Sequence, residues 1–242
     1  SDLGVRLFLP ELNELTADEL YGQALDALLQ MQTRLPSQDL PAYDEQRLTA
    51  EMELMPTWFF ERHLGFTPSC EQWDVIELAF RKLLDSAGRQ AQAFVHRDYH
   101  SRNLLISESG QPGILDFQDA VHGPITYDLV SLLRDCYIAW PDDRVEAWVE
   151  AYRQRAETAG LATGSPAQFL HAFDLMGLQR HIKVLGIFCR LYYRDGKSGY
   201  LGDLPLVWEY TRRIGRKYPE TAPLIELIEH AIGTRDITLP SA

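Results

Sequence analysis

The sequence predicts a mainly helical α/β protein with one small β element at its centre. Apolar residues recur at helical spacing through most of the 242 residues, on both sides of that centre. Three short apolar runs between residues 93 and 117 are instead rich in branched and aromatic residues, and Gly, Pro, Ser and Asp bound them, as is typical of strands. The stretch "ESGQPG" separates the last two runs and indicates a turn.

The helices are predicted from their start signals and their apolar faces. Thr16 and Glu19 have the spacing of a capping box, and apolar residues then recur at helical spacing as far as Met31. Residues 71–86 repeat this pattern, and a third amphipathic helix is expected after Pro141. Further helices are expected over about 125–139, 166–194, 203–216 and 219–231.

The central runs are "AFVH", "NLLI" and "GILDF". The last two predict a β-hairpin over residues 103–107 and 113–117, joined by the turn signal between them. Three short polar side chains stand where these runs begin or end, namely Asp98, Asn103 and Asp116. In a hairpin they can converge at one edge, so the sequence predicts a polar site there.

Composition narrows the possible partners. A formal net charge of −12 disfavours binding to nucleic acid or to an anionic membrane, although a local basic pocket could still hold a small anionic substrate. No apolar run of 18 residues and no signal-peptide pattern occurs. The three cysteines are widely separated and lie in or beside apolar segments, which indicates buried thiols in a reducing compartment. We therefore expect a cytoplasmic protein.

The residue types at the polar site suit phosphoryl transfer. Asn103 and Asp116 offer hard oxygen ligands of the kind that Mg²⁺ takes from proteins, one or two at a time, beside phosphate and water. Asp98 is then left to accept the proton of an attacking hydroxyl group. Phosphoryl transfer requires this division between metal ligands and a carboxylate that orients the nucleophile.

The motifs also carry a family resemblance. "HRDYHSRN" (96–103), "ILDF" (114–117) and "YDL" (127–129) resemble the aminoglycoside phosphotransferase and choline kinase superfamily. The run over residues 114–141 and "LQRHIKVLGIFCRLYYRDGK" (178–197) are similar to bacterial anomeric amino-sugar kinases. The resemblance implies a protein-kinase-like C-terminal lobe with ATP and Mg²⁺ as cofactors. It also implies phosphorylation of the C1 hydroxyl of N-acetylmuramate or N-acetylglucosamine in peptidoglycan recycling.

Other motif residues have roles that the resemblance suggests less directly. His96 is expected to be a buried residue that hydrogen-bonds the loop backbone, rather than a catalyst. His100 stands where related kinases place a residue facing the transferred phosphate, although it could be structural. Asp119 could reach the metal or its water shell, or be solvated. Asp128 resembles the family aspartate that braces the catalytic loop, although a helix-terminal Asp often only caps.

A polar stripe marks the helix near residues 174–194. Gln179, Lys183 and Arg190 share a helical face on which Gly186 also falls, with Arg180 beside it, while much of the remaining circumference is apolar. A charged stripe is often a solvated face. A largely buried cationic stripe needs an anionic or hydroxyl-rich partner, so the alternative is an acceptor-sugar pocket that pairs with a carboxylate such as the lactyl group of N-acetylmuramate.

The resemblance also predicts how the chain is divided. No lysine precedes Lys82 and no Gly-rich loop occurs in the first 90 residues, so an N-terminal β-rich lobe of the same protein is expected to be absent from this chain. Residues 1–4 would be a remnant of the inter-lobe hinge, with backbone groups of Asp2 and Leu3 binding the nucleotide. Residues 5–242 would be the C-terminal lobe, with its catalytic core at about 90–140 and a helical acceptor-binding region at about 141–232.

Two other functions stay open on the sequence alone. One is a kinase for another small alcohol, such as an aminoglycoside, choline or homoserine, because the motif indicates the reaction type and not the acceptor. The other is a non-catalytic binding module that retains the fold. The intact set of Asp98, Asn103 and Asp116 favours an enzyme.

Overall fold

The computed structural model describes residues 6–107 and 111–240, and these are mainly helical with two small sheets. This confirms the predicted fold class. The helices are α1 (Phe8–Glu11), α2 (Ala17–Arg34), α3 (Glu45–Met52), α4 (Cys70–Gly88), α5 (Thr126–Leu133), α6 (Asp142–Thr158), α7 (Pro166–Tyr193), α8 (Leu204–Lys217) and α9 (Ala222–Ile232), with a π-helix at Met55–Leu64. The strands are β1 (Gln92–Val95), β2 (Leu104–Leu105), β3 (Gly113–Ile114) and β4 (Val121–Pro124).

The chain divides into two compact units. The first contains Ser1–Tyr43 and Gln90–Phe173, and the second contains Asp44–Arg89 and Asp174–Ala242. Both sheets and the predicted polar site belong to the first unit. The second unit holds α3, the π-helix, α4, α8, α9 and most of α7.

The first unit has an aromatic core beside α2. Tyr21 contacts Trp148 with ring centroids 4.8 Å apart, and the indole N–H of Trp140 donates to the Tyr21 hydroxyl at 2.9 Å. Large aromatic side chains bury much apolar area, and a buried indole or phenol needs a polar partner. This cluster satisfies both requirements and fixes α2 as a support for the site.

The two sheets are both antiparallel pairs. β2 pairs with β3, with Leu104 opposite Ile114, so the predicted hairpin is present but only two residues of each arm are strand. Part of its turn lies outside the described residues. β1 pairs with β4, a strand that the sequence patterns did not predict, with Val95 opposite Val121.

The capping box predicted at Thr16 is wrong. Thr16 has a helical backbone conformation, and its hydroxyl donates back to the Glu11 carbonyl at 2.6 Å instead of capping α2. The sequence has a true capping box at Ser69, where the Ser69 hydroxyl accepts from the Gln72 amide and the Gln72 side chain accepts from the Ser69 amide. An extended N-cap conformation is what allows this reciprocal bonding.

The second unit brings α7 close to a neighbouring backbone. A methyl group on Gly186 would lie 2.3 Å from the carbonyl carbon of Leu54, so this position of the stripe serves close packing.

Cys136 in the first unit and Cys189 in the second are buried as predicted, whereas Cys70 is exposed at the first residue of α4, which corrects that part of the prediction. Among the described helices, none is long and apolar enough to cross a membrane.

Candidate active site

The segment between β1 and β2, residues 96–103, carries most of the predicted site and is called the catalytic loop below. Arg97 has a φ of 77°, a conformation that costs a non-glycine residue about 1–3 kcal/mol. The carboxylate of Asp128, which is fully buried on α5, accepts hydrogen bonds from the backbone N–H groups of His96 at 2.6 Å and Arg97 at 3.0 Å. The structure therefore places Asp128 where it holds the first two residues of the loop.

Two further buried contacts attach the loop, and no sequence pattern predicted either of them. The Tyr99 hydroxyl donates to the Ala24 carbonyl of α2 at 2.7 Å. The backbone N–H and the hydroxyl of Ser101 both donate to Asp135, at 2.9 and 2.5 Å. These partners lie 75 and 34 residues apart in the chain, and no local motif marks them.

Asp98 and Asn103 are joined through the loop backbone. The Asn103 side-chain amide donates to the Asp98 carbonyl at 3.1 Å, and the His100 N–H donates to the same oxygen, also at 3.1 Å. The Asn103 N–H donates in turn to the His100 carbonyl at 2.9 Å. The side chain of Asp98 is partly exposed. Because the amide nitrogen of Asn103 is used within the loop, its amide oxygen is the atom that could bind a metal ion.

Asp116 follows β3 and lies beside the same loop. The N–H of Leu115 donates to the Asn103 carbonyl at 3.0 Å, which ties the residue before Asp116 to the predicted metal ligand of the loop. Asp116 itself has φ 61° and ψ 50°, a left-handed conformation that Asp and Asn tolerate better than most residues. Its side chain is exposed. Backbone hydrogen bonds thus link Asn103 to Asp98 within the loop and to Leu115, the residue before Asp116, at one end of the β2–β3 hairpin.

His96 is bonded to Asp128 through its backbone N–H, and its ring is fully buried. Within the described residues, the contact between the ring and the Leu115 backbone falls short of standard hydrogen-bond geometry. Burial lowers the pKa of His96, and this outweighs the opposing effects of Asp98, the Leu115 backbone and Asp116. Burial therefore favours the neutral imidazole at this position.

The remaining predicted residues of the first unit occupy different environments. His100 is partly buried, and its ring meets the ring of Tyr137 edge-on at 5.6 Å. Asp119 ends a short 3₁₀ turn, Phe117–Asp119, that follows Asp116, and its side chain is exposed.

The donor set fits a magnesium ion bound with nucleotide phosphates. Asn103 and Asp116 supply one amide oxygen and one carboxylate, which are hard ligands, and Mg²⁺ commonly takes only one or two from the protein. When bound, the ion would neutralise phosphate charge. Asp98 would then orient the hydroxyl group of the acceptor and accept its proton, so that the loop could carry out phosphoryl transfer.

The residues predicted to bind the acceptor lie in the second unit. Gln179 and Arg180 are buried on α7, and the Gln179 amide has no hydrogen-bond partner in the described part of the chain. Lys183 forms an ion pair with Glu51 of α3 at 3.1 Å, with both side chains largely buried. The protein thus already supplies a carboxylate to the cation for which a substrate carboxylate was predicted. Arg190 is partly exposed.

The predicted nucleotide-binding backbone groups, those of Asp2 and Leu3, lie outside the described residues.

Taken together, the helical body, the short hairpin and a loop whose backbone links Asp98 to Asn103 fit a kinase-like phosphotransferase. A model of the phosphotransferase enzyme family matches residues 2–167 of the chain. The chain therefore belongs to this family, which confirms the resemblance found in the motifs.

Curated relatives agree with this assignment. The chain is 46% identical over 229 residues to an N-acetylmuramate/N-acetylglucosamine kinase of Pseudomonas putida, and the match covers 94% of the chain and 67% of that protein. It is 40% identical to a protein of the same name from Neisseria meningitidis, covering 98% of the chain and 72% of that protein.

Solved structures support the fold. A choline/ethanolamine kinase family protein from Mesorhizobium loti matches 95% of the chain and 73% of its own length with a TM-score of 0.60 and 13% identity. The ADP-bound aminoglycoside phosphotransferase APH(2'')-Ib matches 87% of the chain and 70% of its own length with a TM-score of 0.52 and 15% identity. At these identities the likeness concerns the fold alone.

Proposed function

We propose that this protein transfers the γ-phosphoryl group of ATP, with Mg²⁺, to the C1 hydroxyl of an amino sugar such as N-acetylmuramate or N-acetylglucosamine. The observation that carries the proposal is 46% identity over 229 residues to a kinase named for these two sugars. The catalytic loop supports the reaction type independently, because its backbone links Asp98, a candidate proton acceptor, to Asn103, a candidate metal ligand that is also bonded to the residue before Asp116. The proposed role is cytoplasmic recycling of peptidoglycan sugars.

The roles proposed for the site residues come from the family resemblance, and the geometry of the loop supports those of Asp98, Asn103 and Asp116. Asp98 accepts the proton of the C1 hydroxyl, since its carboxylate is partly exposed at the hairpin end. Asn103 and Asp116 hold Mg²⁺, and they are linked by the hydrogen bond from Leu115 to the Asn103 carbonyl. His100 faces the transferred phosphate, and Asp119 reaches the water shell of the metal. The backbone of Asp2 and Leu3 binds the nucleotide base.

The proposal for the acceptor rests on α7. Gln179 is 1% exposed and its amide makes no hydrogen bond within the described residues, so a hydroxyl-rich ligand would satisfy a group that is otherwise costly to bury. Arg190 retains a partly exposed cation, and Arg180 lies beside Gln179. Lys183 is the weaker candidate because Glu51 already neutralises it. The variants Gln179→Leu and Arg190→Met should therefore raise the acceptor KM, and an unchanged KM in both would leave α7 without an acceptor role.

An acceptor screen tests the proposed reaction. The full-length protein is incubated with MgATP and, separately, with N-acetylmuramate, N-acetylglucosamine, an aminoglycoside, choline and homoserine, and the products are identified by ³¹P and ¹H NMR. A sugar 1-phosphate is the expected product. Phosphorylation of another alcohol, or of a sugar hydroxyl other than C1, would reject the proposed acceptor chemistry.

Two variants test the reaction type against a non-catalytic binding role. Asp98→Asn keeps the size of the side chain and removes the proton acceptor, so kcat should fall by a factor of about 10²–10⁴ with little change in ATP affinity. Glu61→Gln is an isosteric control at an exposed carboxylate of the second unit and should behave as wild type. A fully active Asp98→Asn enzyme would remove Asp98 from the mechanism, and a wild type that binds ATP without turnover on any acceptor would favour the binding module.

A further inference from the structure

A second buried carboxylate holds the middle of the catalytic loop. Asp135 is 1% exposed, and one of its oxygens accepts hydrogen bonds from both the backbone N–H and the hydroxyl of Ser101, at 2.9 and 2.5 Å. Ser101 is itself fully buried. The other oxygen of Asp135 accepts from the backbone N–H of Tyr137 at 3.3 Å. Hydrogen bonds to a charged acceptor are stronger than neutral ones, and these are shielded from water.

The position of Ser101 gives this contact its importance. Ser101 lies between Asp98 and Asn103, and the loop closes around it through bonds from the His100 N–H to the Asp98 carbonyl and from the Asn103 N–H to the His100 carbonyl. A displacement of Ser101 therefore shifts the proposed proton acceptor and the proposed metal ligand relative to each other. The hydrogen bonds from the loop to Asp128 lie earlier in the chain, at His96 and Arg97.

Tyr137 adds a second contact from the same segment. Its ring meets the His100 ring at 5.6 Å, and the Arg102 guanidinium lies 3.4 Å from the centre of the Tyr137 ring. A cation above an aromatic face is attracted to it. Residues 135–137 thus contact three successive residues of the loop, 100–102, through a carboxylate and an aromatic ring.

Helix stability does not explain a carboxylate at this place. α5 ends at Leu133, so Asp135 follows the C-terminus of the helix, where the helix dipole disfavours negative charge. Burying a carboxylate is costly unless hydrogen bonds compensate, and the compensating donors are those of Ser101 and Tyr137. The contact to the catalytic loop is therefore what this buried charge provides.

We propose that Asp135 is a positioning residue for phosphoryl transfer, which fixes Ser101 and thereby the relative placement of Asp98 and Asn103. This inference rests on the proposed function of the loop. It assigns no direct contact between Asp135 and substrate or metal. Its effect should appear in the rate of the chemical step more than in ligand binding, since a small misplacement of reacting groups is costly in rate.

Three variants in the full-length protein test the proposal by steady-state kinetics with MgATP and the acceptor found in the screen. Asp135→Ala removes the acceptor of both Ser101 donors and should lower kcat by at least about tenfold, with either KM changing less than about threefold. Asp135→Asn keeps an oxygen for Ser101 and should recover most of that loss. Ser101→Ala keeps the backbone bond and should lower kcat by only a few fold.

A core variant separates positioning from general loss of stability. Val149→Ala removes buried side-chain volume on α6 and touches none of the loop contacts described above, and it should lower Tm by a few degrees without lowering kcat. If Asp135→Ala lowers Tm to a similar extent and leaves kcat at the level of Val149→Ala, the proposal is wrong. If Asp135→Ala does not fold, the other two variants decide. A wild-type kcat in both Asp135→Asn and Ser101→Ala would then overturn the proposal.

Hydrogen exchange gives a readout that does not depend on turnover. Asp135→Ala should speed the exchange of the Ser101 amide by at least about tenfold, whereas Val149→Ala should not, because only the first variant removes the acceptor of that N–H. If the Ser101 amide exchanges at the wild-type rate in Asp135→Ala, Asp135 does not hold Ser101 in place. If the wild type phosphorylates another alcohol and no amino sugar, the proposed acceptor is wrong. The same kinetic series, measured with that alcohol, then still decides the role of Asp135.

Discussion

Replacement of Asp128 by alanine is the most direct test of how the catalytic loop is held. The carboxylate accepts hydrogen bonds from the N–H groups of His96 and Arg97, and it is fully buried. Alanine leaves both donors without their partner. The strained φ of 77° at Arg97 would then lose the hydrogen bond that compensates it, so we expect the beginning of the loop to relax toward an ordinary conformation.

The magnitude follows from the number of orphaned donors. A buried polar group that loses its partner costs about 1–3 kcal/mol, so two N–H groups cost about 2–6 kcal/mol. The removal of a buried charge and the relaxation at Arg97 offset part of this cost. We therefore expect a net loss of about 3 kcal/mol in the free energy of unfolding. Asp128→Asn retains one acceptor oxygen and should lose about half as much.

Urea denaturation followed by circular dichroism measures the loss, and hydrogen exchange locates it. The amides of His96 and Arg97 should exchange faster in Asp128→Ala. Ser131→Ala is the matched control, because Ser131 is equally buried on α5 and its hydroxyl has no hydrogen-bond partner within residues 6–107 and 111–240. It should be as stable as wild type or more so. An Asp128→Ala protein no less stable than Ser131→Ala would refute the reasoning.

Three further predictions concern the second unit. Lys183→Met removes the cation that pairs with the largely buried carboxylate of Glu51, and it should cost about 3 kcal/mol by urea denaturation. Most of this loss should be recovered in the double variant Lys183→Met with Glu51→Leu, and additive losses would contradict the pairing. Gly186→Ala places a methyl group 2.3 Å from the backbone of Leu54 and should lower Tm by several degrees, whereas Gly22→Ala, which has open space, should not. Burial lowers the pKa of His63, so the folded state disfavours its charged form. The contribution of His63 to stability should be full above about pH 6.5 and should fall as the pH drops toward the lowered pKa. His63→Gln should flatten this part of a Tm–pH profile, and an unchanged profile would contradict the prediction.

The local parts of this protein could be predicted from sequence because their signals are local. Helical spacing located α4, α6 and α7 to within a few residues, and the short apolar runs predicted the β2–β3 hairpin. Backbone geometry over a short stretch of chain is enough to form such a hairpin. The capping box at Thr16 failed because its hydroxyl donates to the Glu11 carbonyl instead.

What holds the site in place was decided only by tertiary structure. Tyr99 finds its acceptor in α2, Ser101 finds Asp135, and β1 finds β4, each across a long stretch of chain that no pattern connects. The same holds for Lys183, whose charge indicated a substrate carboxylate but whose partner in the fold is Glu51. A sequence shows which charged and polar groups exist, but the energy of burying each one depends on the partner that folding brings to it. The sequence therefore shows which polar groups the catalytic loop carries, and the fold decides which partners hold them in place.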